Sequence, residues 1–457
     1  MLPKTEVSAT MPLEGRRSGG VLEVGALAYP VVLQTFSDTL MQVVDSAMVG
    51  RLGPTELGAV GFAGIWLWTC LCAFVGTASG VQTFVAQAFG ARRERECGAW
   101  IWQATYVLLP VIVVWTVVVA VLFGPVLELL GPTPEMQARA LEYAQGRFFG
   151  MPVIIVSVVV TAFFRGLGQT AIPLLATVVA NLVNFGLAYG LVFGRLGLPE
   201  WGVMGAGAAT ACANWVYLGV MLIAALRPSI AARFGSRPIR PNLASMRRFA
   251  RTSAPIGGQW LLDMASFAAF STIIARMGDV PMAANQAMIQ LLSLSFMQAY
   301  GIAIGTGALV GRYIGARDLE AAERSYRSAL TLGMGLATVV AAAFLGAPDA
   351  LLSIFTDDPG VIALGRPLLV LAAAFQVVDA VGIIAGGALR GAGDTRWPFF
   401  VQASLAWLLR LPLVYLGAIV LNGGLYGAWI GELGYILVLN VAFVMRFRSG
   451  KWRSIRV

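Results

Sequence analysis

The sequence predicts an all-α polytopic membrane protein with twelve transmembrane helices in two six-helix lobes. Hydrophobic residues make up 58% of the 457 residues and charged residues only 12%, whereas roughly a quarter of a soluble protein is charged. Twelve apolar stretches are long enough to cross a bilayer. The second half of the chain also repeats the first at a constant offset of 225 residues. These three observations define the fold class.

The repeat is clearest in residues that are unusual for a membrane span. In the first span of each half the matching pairs are Pro30 with Pro255, Gln34 with Gln259 and Asp38 with Asp263. The register holds without a net gap as far as the hairpins at residues 165–170 and 390–395, which both begin with Arg-Gly and end in Thr. Because six spans per half is an even number, both halves enter the membrane in the same orientation. The expected symmetry is a pseudo-twofold axis along the membrane normal, with a central cavity between the lobes.

The spans divide the chain into five predicted segments. They are a tail at residues 1–20, a first lobe at 21–226, a linker at 227–249, a second lobe at 250–446 and a tail at 447–457. The predicted spans lie near residues 24–50, 58–88, 99–124, 138–162, 171–194 and 203–226, and near residues 250–275, 283–312, 325–347, 360–388, 398–421 and 424–446. No apolar leader with a cleavage site precedes the first span, so we expect an uncleaved tail.

The basic residues predict the topology. The chain has 32 Lys and Arg against 23 Asp and Glu, a net charge of +9. The two tails and the loops after even-numbered inner spans hold 25 of these basic residues, and the opposite loops with their flanks hold six. By the positive-inside rule both termini are cytoplasmic. This distribution gives no support to a nucleic acid partner, and the basic segment at 227–251 is expected to face lipid headgroups.

The composition also excludes several kinds of chemistry. The chain has no histidine, which removes histidine metal sites, haem ligation and histidine general bases. Its four cysteines form no Cys-x-x-Cys pair, and we expect all of them to be free thiols. No nucleophile and base set and no phosphate loop with its lysine is present. The sequence therefore predicts a protein that is not an enzyme and that uses an ion gradient rather than ATP.

Polar side chains at helical spacing mark three of the spans as candidate binding elements. A carboxylate at the centre of a membrane helix costs at least ~2.5 kcal/mol, so such residues almost always face an aqueous cavity or a partner. The stripes are Gln34, Asp38, Gln42 and Asp45 in span 1, Gln259, Asp263 and Ser266 in span 7, and Gln376 with Asp379 in span 10.

Four acids in three spans suit a cation. A carboxylate in a low-dielectric medium has a raised pKa, so it can hold a proton or an ion or can neutralise a cationic substrate. These two uses compete, and this competition is the minimal requirement for antiport. The alternative for each acid is a buried polar residue satisfied by a neighbouring helix or by Arg410. Asp45 and Asp379 align with Phe270 and Ile154, so the lobes are not chemically equivalent.

Other polar and aromatic residues support the same interpretation less specifically. Asn181 and Asn184 in span 5 could coordinate an ion, cap a carboxylate or form a hydrogen bond to a neighbouring helix. Arg410 and Glu432 also lie at membrane depth, and we expect a structural ion pair between them within the second lobe, with a role in transport as the alternative. An adaptable apolar wall is expected from side chains near the stripes, although spacing alone does not separate it from ordinary helix packing. Its candidate members are Phe36, Trp260, Met264, Phe267 and Met297.

The combination of features resembles the multidrug and toxic compound extrusion (MATE) family, and most of all its bacterial NorM-like branch. The features are the two six-span repeats, the sequence Val44-Asp45-Ser46, the two Arg-Gly hairpins and the segment from Gln376 to Asp379. The resemblance covers about residues 25–446. It implies twelve spans in two V-shaped lobes, a multi-pass protein of the bacterial inner membrane, and efflux of organic cations in exchange for Na⁺ or H⁺. We expect a monomer.

The resemblance also suggests roles for individual residues. It matches Asp45, Asp263 and Asp379 to the family's acids in spans 1, 7 and 10, and Asn181 with Asn184 to its polar pair in span 5. Asp263 and Asp379 are then candidates to hold Na⁺, and no other cofactor is expected. The sequence departs from the family's pattern at two positions, since Asp263 replaces a glutamate and Asp38 is an additional acid.

The main alternative is a lipid-linked oligosaccharide flippase of the same wider superfamily. Such a carrier of polyanionic headgroups is expected to have a basic cavity, whereas this sequence places acids in the spans.

Overall fold

The computed structural model describes residues 18–130, 133–354 and 359–455, and every regular element in these ranges is a helix. The predicted tail at residues 1–20 falls almost entirely outside them. The all-α class is confirmed. The helices are α1 (Val21–Gly50), α2 (Pro54–Ser79), α3 (Val81–Gly90), α4 (Glu94–Cys97), α5 (Ala99–Leu130), α6 (Pro134–Phe148), α7 (Met151–Gly166), α8 (Ala171–Phe193), α9 (Gly202–Leu226), α10 (Pro228–Phe234), α11 (Leu243–Ala275), α12 (Asp279–Gly315), α13 (Leu319–Gly346), α14 (Pro348–Leu352), α15 (Pro359–Gly391), α16 (Arg396–Leu405), α17 (Leu411–Tyr415) and α18 (Gly424–Arg448).

Helix length and hydropathy account for the predicted spans. Within the described residues nine helical segments are long and apolar enough to cross a membrane, and α6 with α7 forms a tenth that is bent by 49°. The remaining two spans are α1 and α11, of 30 and 33 residues, which at 1.5 Å per residue exceed the thickness of a hydrocarbon core. Both carry the acids of the polar stripes, which lower their hydropathy. Together the segments give the twelve expected spans.

The described chain forms two compact units. The carboxyl-terminal unit contains the residues up to Val32, Gly90–Arg92 and the residues from Leu262 onward, and the amino-terminal unit contains Leu33–Phe89 and Arg93–Leu261. In the carboxyl-terminal unit α15 packs against α12, α13 and α18. In the amino-terminal unit the counterpart of α15 is the bent pair α6 and α7, which packs against α2, α5 and α9. Each repeat therefore builds the same internal packing, while the predicted lobe boundaries stay a prediction.

One close helix crossing recurs in both units. A Cβ atom on Gly391 would lie 2.2 Å from the carbonyl oxygen of Gly307, and a Cβ atom on Gly166 would lie 2.9 Å from that of Gln82. Gly391 corresponds to Gly166, and Gly307 corresponds to Gln82, at the repeat offset of 225 residues. Glycine is needed at these crossings because a side chain would displace the facing backbone.

Two prolines explain where the repeats differ in backbone. Span 4 breaks between α6 and α7 just before Pro152, whereas its counterpart α15 is continuous. In span 11, Pro412 lies between two π-helical turns, Ala406–Arg410 and Leu416–Val420. A proline has no amide hydrogen to donate within a helix, so the preceding turn must bend or widen.

The segments beyond the predicted lobes are also ordered into the fold. The linker contains the short helix α10, and α11 starts at Leu243, inside the predicted linker. After α18, Trp452 is fully buried and stacks on Phe447 at a centroid distance of 4.7 Å. All four cysteines are free, as predicted.

Candidate ligand site

A cavity of about 270 Å³ lies inside the carboxyl-terminal unit. Its walls come from α11, α12, α15, the span Arg396–Val420 and α18. One part of the wall is polar and contains Asp263, Ser293, Gln376, Asp379, Arg410 and Glu432. Half of the remaining lining residues are aromatic, namely Phe267, Phe270, Phe296, Phe375, Trp429 and Tyr435.

Three of the nine predicted site residues meet at this cavity. Asp263 comes from α11, while Gln376 and Asp379 come from successive turns of α15. The side chain of Asp263 is 51% exposed, so its carboxylate is open to the cavity. Asp379 is partly buried and lies within electrostatic reach of Asp263, Glu432 and Arg410.

The predicted ion pair between Arg410 and Glu432 is confirmed. The Nε of Arg410 lies 2.7 Å from the Oε2 of Glu432, and both side chains are buried. The guanidinium also donates to the Oγ of Ser266 at 3.1 Å and lies 4.0 Å from the carboxylate of Asp263. Two charges removed from water need such partners, because an unpaired buried charge is costly.

The polar wall carries a surplus of acceptors. Three carboxyl groups face one guanidinium, so full ionisation leaves two negative charges. Gln376 donates to the backbone oxygen of Ala337 at 3.1 Å, but its own Oε1 is buried without a hydrogen-bond partner. The hydroxyl of Tyr435 is likewise buried and unpartnered. Buried polar groups are normally satisfied, so this wall suits a ligand that brings positive charge and hydrogen-bond donors.

The aromatic wall is held together by edge contacts. The ring of Trp429 meets Phe270 at 5.3 Å and Phe375 at 5.7 Å, both in T-shaped geometry. Its indole N–H donates to Asn285 at 3.0 Å, which fixes the ring plane. Aromatic faces attract cations within about 6 Å. Of the five predicted wall residues, Met264 and Phe267 line the cavity.

In the amino-terminal unit the predicted residues form hydrogen-bonded pairs. Both carboxylate oxygens of Asp45 accept from the amide of Asn184, at 2.8 and 3.0 Å, and Thr210 provides a further hydrogen bond. Asn181 donates to the backbone oxygen and the hydroxyl of Ser37 at 3.1 and 3.0 Å. The bonds tie α1 to α8 and α9, and they hold the Asp45 carboxylate in one position.

A second network surrounds Gln34. Its Oε1 accepts from Arg165 at 2.9 Å and its Nε2 donates to the hydroxyl of Tyr217 at 3.3 Å. Asp38 is exposed and within electrostatic reach of the same arginine. Gln259 is buried in this unit and does not line the cavity of the other one.

Sequence reasoning missed the contributions of α12 and α18. On α12 the lining residues Ile289, Leu292, Ser293, Phe296 and Ala299 follow helical spacing, and on α18 so do Trp429, Glu432, Tyr435 and Ile436. Periodicity could have grouped each set on one helix face. It could not have told whether that face meets a cavity or another helix.

The described residues contain no group of three or more acidic or cysteine side chains placed to hold a metal ion. A sodium site at Asp263 and Asp379 would therefore rest on two carboxylates supplemented by neutral oxygens. Gln376 and Tyr435 carry such oxygens in the same wall.

Comparison with known proteins agrees with this architecture. The MatE family model matches residues 30–190 and 255–416, two segments that begin 225 residues apart. The chain is 30% identical over 434 residues to the "Probable multidrug resistance protein NorM" of Xanthomonas axonopodis, covering 94% of each. It is also 30% identical over 433 residues to the "Multidrug resistance protein MdtK" of Pectobacterium atrosepticum, covering 93% of each.

Solved structures agree in fold. A crystal structure of MATE in the straight conformation superposes with a TM-score of 0.85 at 19% identity, covering 96% of this chain and 100% of that one. The eukaryotic MATE transporter AtDTX14 gives a TM-score of 0.83 at 20% identity, covering 94% and 96%. The twelve spans, the repeated matches and the near full-length relatives lead to one conclusion: the chain belongs to the MATE family of membrane transporters, is a multi-pass protein of the inner membrane, and is not an enzyme.

Proposed function

We propose that the protein is a multidrug efflux antiporter, which exports organic, mostly cationic and lipophilic compounds in exchange for Na⁺ or H⁺ by alternating access. The observation that carries this proposal is the cavity of the carboxyl-terminal unit, where three carboxyl groups and a single guanidinium share the wall with aromatic side chains. The relatives named as multidrug resistance proteins support the same class of substrate. Antibiotic resistance is the expected phenotype.

The shape and chemistry of the cavity suit a lipophilic cation. At about 270 Å³ it is close to the lower end of drug-sized pockets. Aromatic rings and Met264 provide an apolar surface that adapts to ligands of different shape. The carboxylates supply the charge that such a compound needs when it leaves water.

Exchange follows from competition for the same carboxylates. A proton or Na⁺ bound at Asp263 and Asp379 removes the charge that holds an organic cation, so the small cation displaces the large one. A ligand shifts a conformational equilibrium only if it binds the two forms differently, and each of the two cations can do so here. The coupling ion thus resets the transporter after the drug leaves.

The pairs of the amino-terminal unit are proposed to assist coupling rather than to hold the drug. Asp45 is bonded to Asn184, and Asn181 is bonded to Ser37. A proton or Na⁺ at Asp38 or Asp45 would change these bonds. The proposed topology keeps both termini in the cytoplasm, and the proposed working form is a monomer.

A flippase for lipid-linked oligosaccharides gains no support from this site. A polyanionic headgroup would meet Asp263, Asp379 and Glu432 with a single arginine among them. Like charges in a low-dielectric cavity repel strongly.

Inverted membrane vesicles test the proposal. Ethidium uptake is measured after imposing either a proton gradient or a sodium gradient, for the wild type and for Asp263→Asn and Asp379→Asn. We expect uptake with at least one gradient and its loss in both variants. Glu96→Gln is the control, because Glu96 is an exposed acid paired with Arg93. Wild-type vesicles that take up no ethidium under either gradient would refute the proposal.

A further inference from the structure

Arg410 has two acidic neighbours at unequal distances. Its guanidinium is 2.7 Å from Glu432 and 4.0 Å from Asp263. Glu432 is buried whereas the side chain of Asp263 is half exposed. The arginine therefore pairs closely with the buried acid, whereas the more accessible acid, Asp263, lies at a longer distance and is hydrogen-bonded by Gln402.

Several side chains and a wide helical turn enclose the guanidinium. Arg410 ends a π-helical turn two residues before Pro412, and wide turns of this kind often occur at functional sites. Ser266 accepts from it at 3.1 Å. The rings of Phe270 and Tyr435 lie 5.6 and 5.4 Å from its central carbon. Among the described residues, Glu432 and Asp263 are the two acids that form an ion pair with it.

The ion pair between Arg410 and Glu432 affects how the cavity binds a cation. Arg410 is a cation that belongs to the cavity itself, so it competes with any ligand for Asp263. We propose that Glu432 is a positioning residue that holds Arg410 away from Asp263, and that the pair sets whether the cavity prefers singly or doubly charged organic cations. This inference rests on the proposed function and specifies the substrate class of the same site. When all three carboxyl groups are ionised, the two surplus negative charges match a dication.

The pair is specific to one repeat. The positions that correspond to Arg410 and Glu432 in the first half are Phe185 and Gly207. Neither can take part in an ion pair. The cavity of the carboxyl-terminal unit thus has a charge-setting element that the fold itself does not require.

Ethidium and propidium test the inference, because they share a phenanthridinium ring and carry one and two positive charges. Both dissociation constants are measured by fluorescence on the purified protein. Glu432→Gln reduces the surplus to one negative charge and releases Arg410 toward Asp263. We expect both affinities to fall and the preference for propidium over ethidium to drop on the order of tenfold, as one charge at several ångströms in a partly buried site implies.

The double variant Arg410→Met with Glu432→Gln provides the rescue. It removes the positive charge of Arg410 together with the negative charge of Glu432, and it restores two surplus negative charges. We therefore expect the preference for propidium over ethidium to return to within about threefold of wild type. Asp394→Asn is the matched control. Asp394 is equally buried, pairs with Arg446 at 2.7 Å and does not line the cavity, so its loss should leave the preference unchanged.

Three outcomes decide the question. An unchanged preference in a folded Glu432→Gln variant, or a double variant that stays as impaired as the single one, overturns the inference while the proposed function stands. A wild-type protein that binds neither dye overturns both. If Glu432→Gln proves too unstable to purify, the Arg410→Met variant decides the question, because it leaves three negative charges in the cavity. A preference for propidium over ethidium that rises about tenfold supports the inference. An unchanged preference refutes it.

Discussion

The two units share the same helical repeat, but their acidic side chains have different positions and different neighbours. In the amino-terminal unit Asp45 accepts hydrogen bonds from Asn184 and Thr210. The corresponding positions in the other unit are Phe270, Leu409 and Tyr435, so aromatic and apolar side chains replace the whole cluster. The acids of that unit lie instead at Asp263, Asp379 and Glu432, around a cavity.

This comparison teaches that the repeat maintains helix packing and leaves the chemistry free to differ. The glycine crossings at Gly166 and Gly391 are maintained in both units. The polar positions are not. One unit holds the Asp45 carboxylate with hydrogen-bond donors, and the other places three carboxyl groups, a glutamine and a tyrosine in the wall of a cavity.

The largest effect is expected when both open acids are neutralised. The double variant Asp263→Asn with Asp379→Asn leaves Glu432 balanced by Arg410, so the cavity has no surplus charge. We predict that ethidium transport falls to background while the protein still inserts and unfolds at nearly the wild-type temperature. Transport above one tenth of the wild-type rate would contradict the comparison.

A direct contrast between the units comes from single substitutions. Asp379→Asn should weaken ethidium binding about tenfold, because one charge is lost from the cavity wall. Asp45→Asn should change binding by less than about twofold, since its carboxylate is held by Asn184 and does not line that cavity. Equilibrium fluorescence titration of both variants checks this. Equal losses of affinity would show that the units are not divided in this way.

The aromatic wall should give a smaller effect. Phe296 lines the cavity, is 44% exposed and stacks on Tyr300, so Phe296→Ala removes ligand contact with little loss of packing. A cation over an aromatic face is worth about 0.5–1 kcal/mol at an exposed site, and we predict a threefold to fivefold loss of ethidium affinity. Phe400→Ala is the control, because Phe400 is 64% exposed outside the cavity. An equal loss of ethidium affinity in that control would show that the aromatic wall does not contribute specifically to binding.

Much of this architecture was predictable because repetition and hydropathy are local properties. The offset of 225 residues and the helical spacing of the polar stripes predicted the spans and three of the cavity residues. The pairing of Arg410 with Glu432 was predictable because two unrepeated opposite charges at membrane depth need each other. Each of these inferences depends only on local sequence patterns or on the need of opposite charges to pair inside a membrane.

The rest depends on tertiary contacts. Trp429 and Phe296 belong to helices separated by more than a hundred residues, and nothing in either stretch shows that their faces meet at a cavity. The break before Pro152 was also unpredicted, since a proline in a membrane helix can either kink it or be accommodated. Asn181 was predicted either to bind an ion or to form a hydrogen bond to a neighbouring helix. It donates to Ser37, and its role in coupling stays a prediction.

The smallest effect on binding is expected at the shared glycine crossings. Gly391→Ala would place a methyl group 2.2 Å from a backbone oxygen and should destabilise the protein by about 1–3 kcal/mol. Gly166→Ala meets its nearest atom at 2.8 Å, a side-chain carbon, and should cost less. Thermal unfolding of both variants in the same detergent measures the difference. A greater loss of stability in Gly166→Ala than in Gly391→Ala would contradict this prediction.

The measurement that tests the central claim most directly is an equilibrium competition on the purified protein. Ethidium binding is titrated at increasing Na⁺ concentration and, separately, at decreasing pH. Shared use of the carboxylates predicts that the apparent dissociation constant rises in proportion to one of the two small cations, and that Asp379→Asn weakens this dependence. An ethidium affinity that is independent of both Na⁺ and pH would contradict the account.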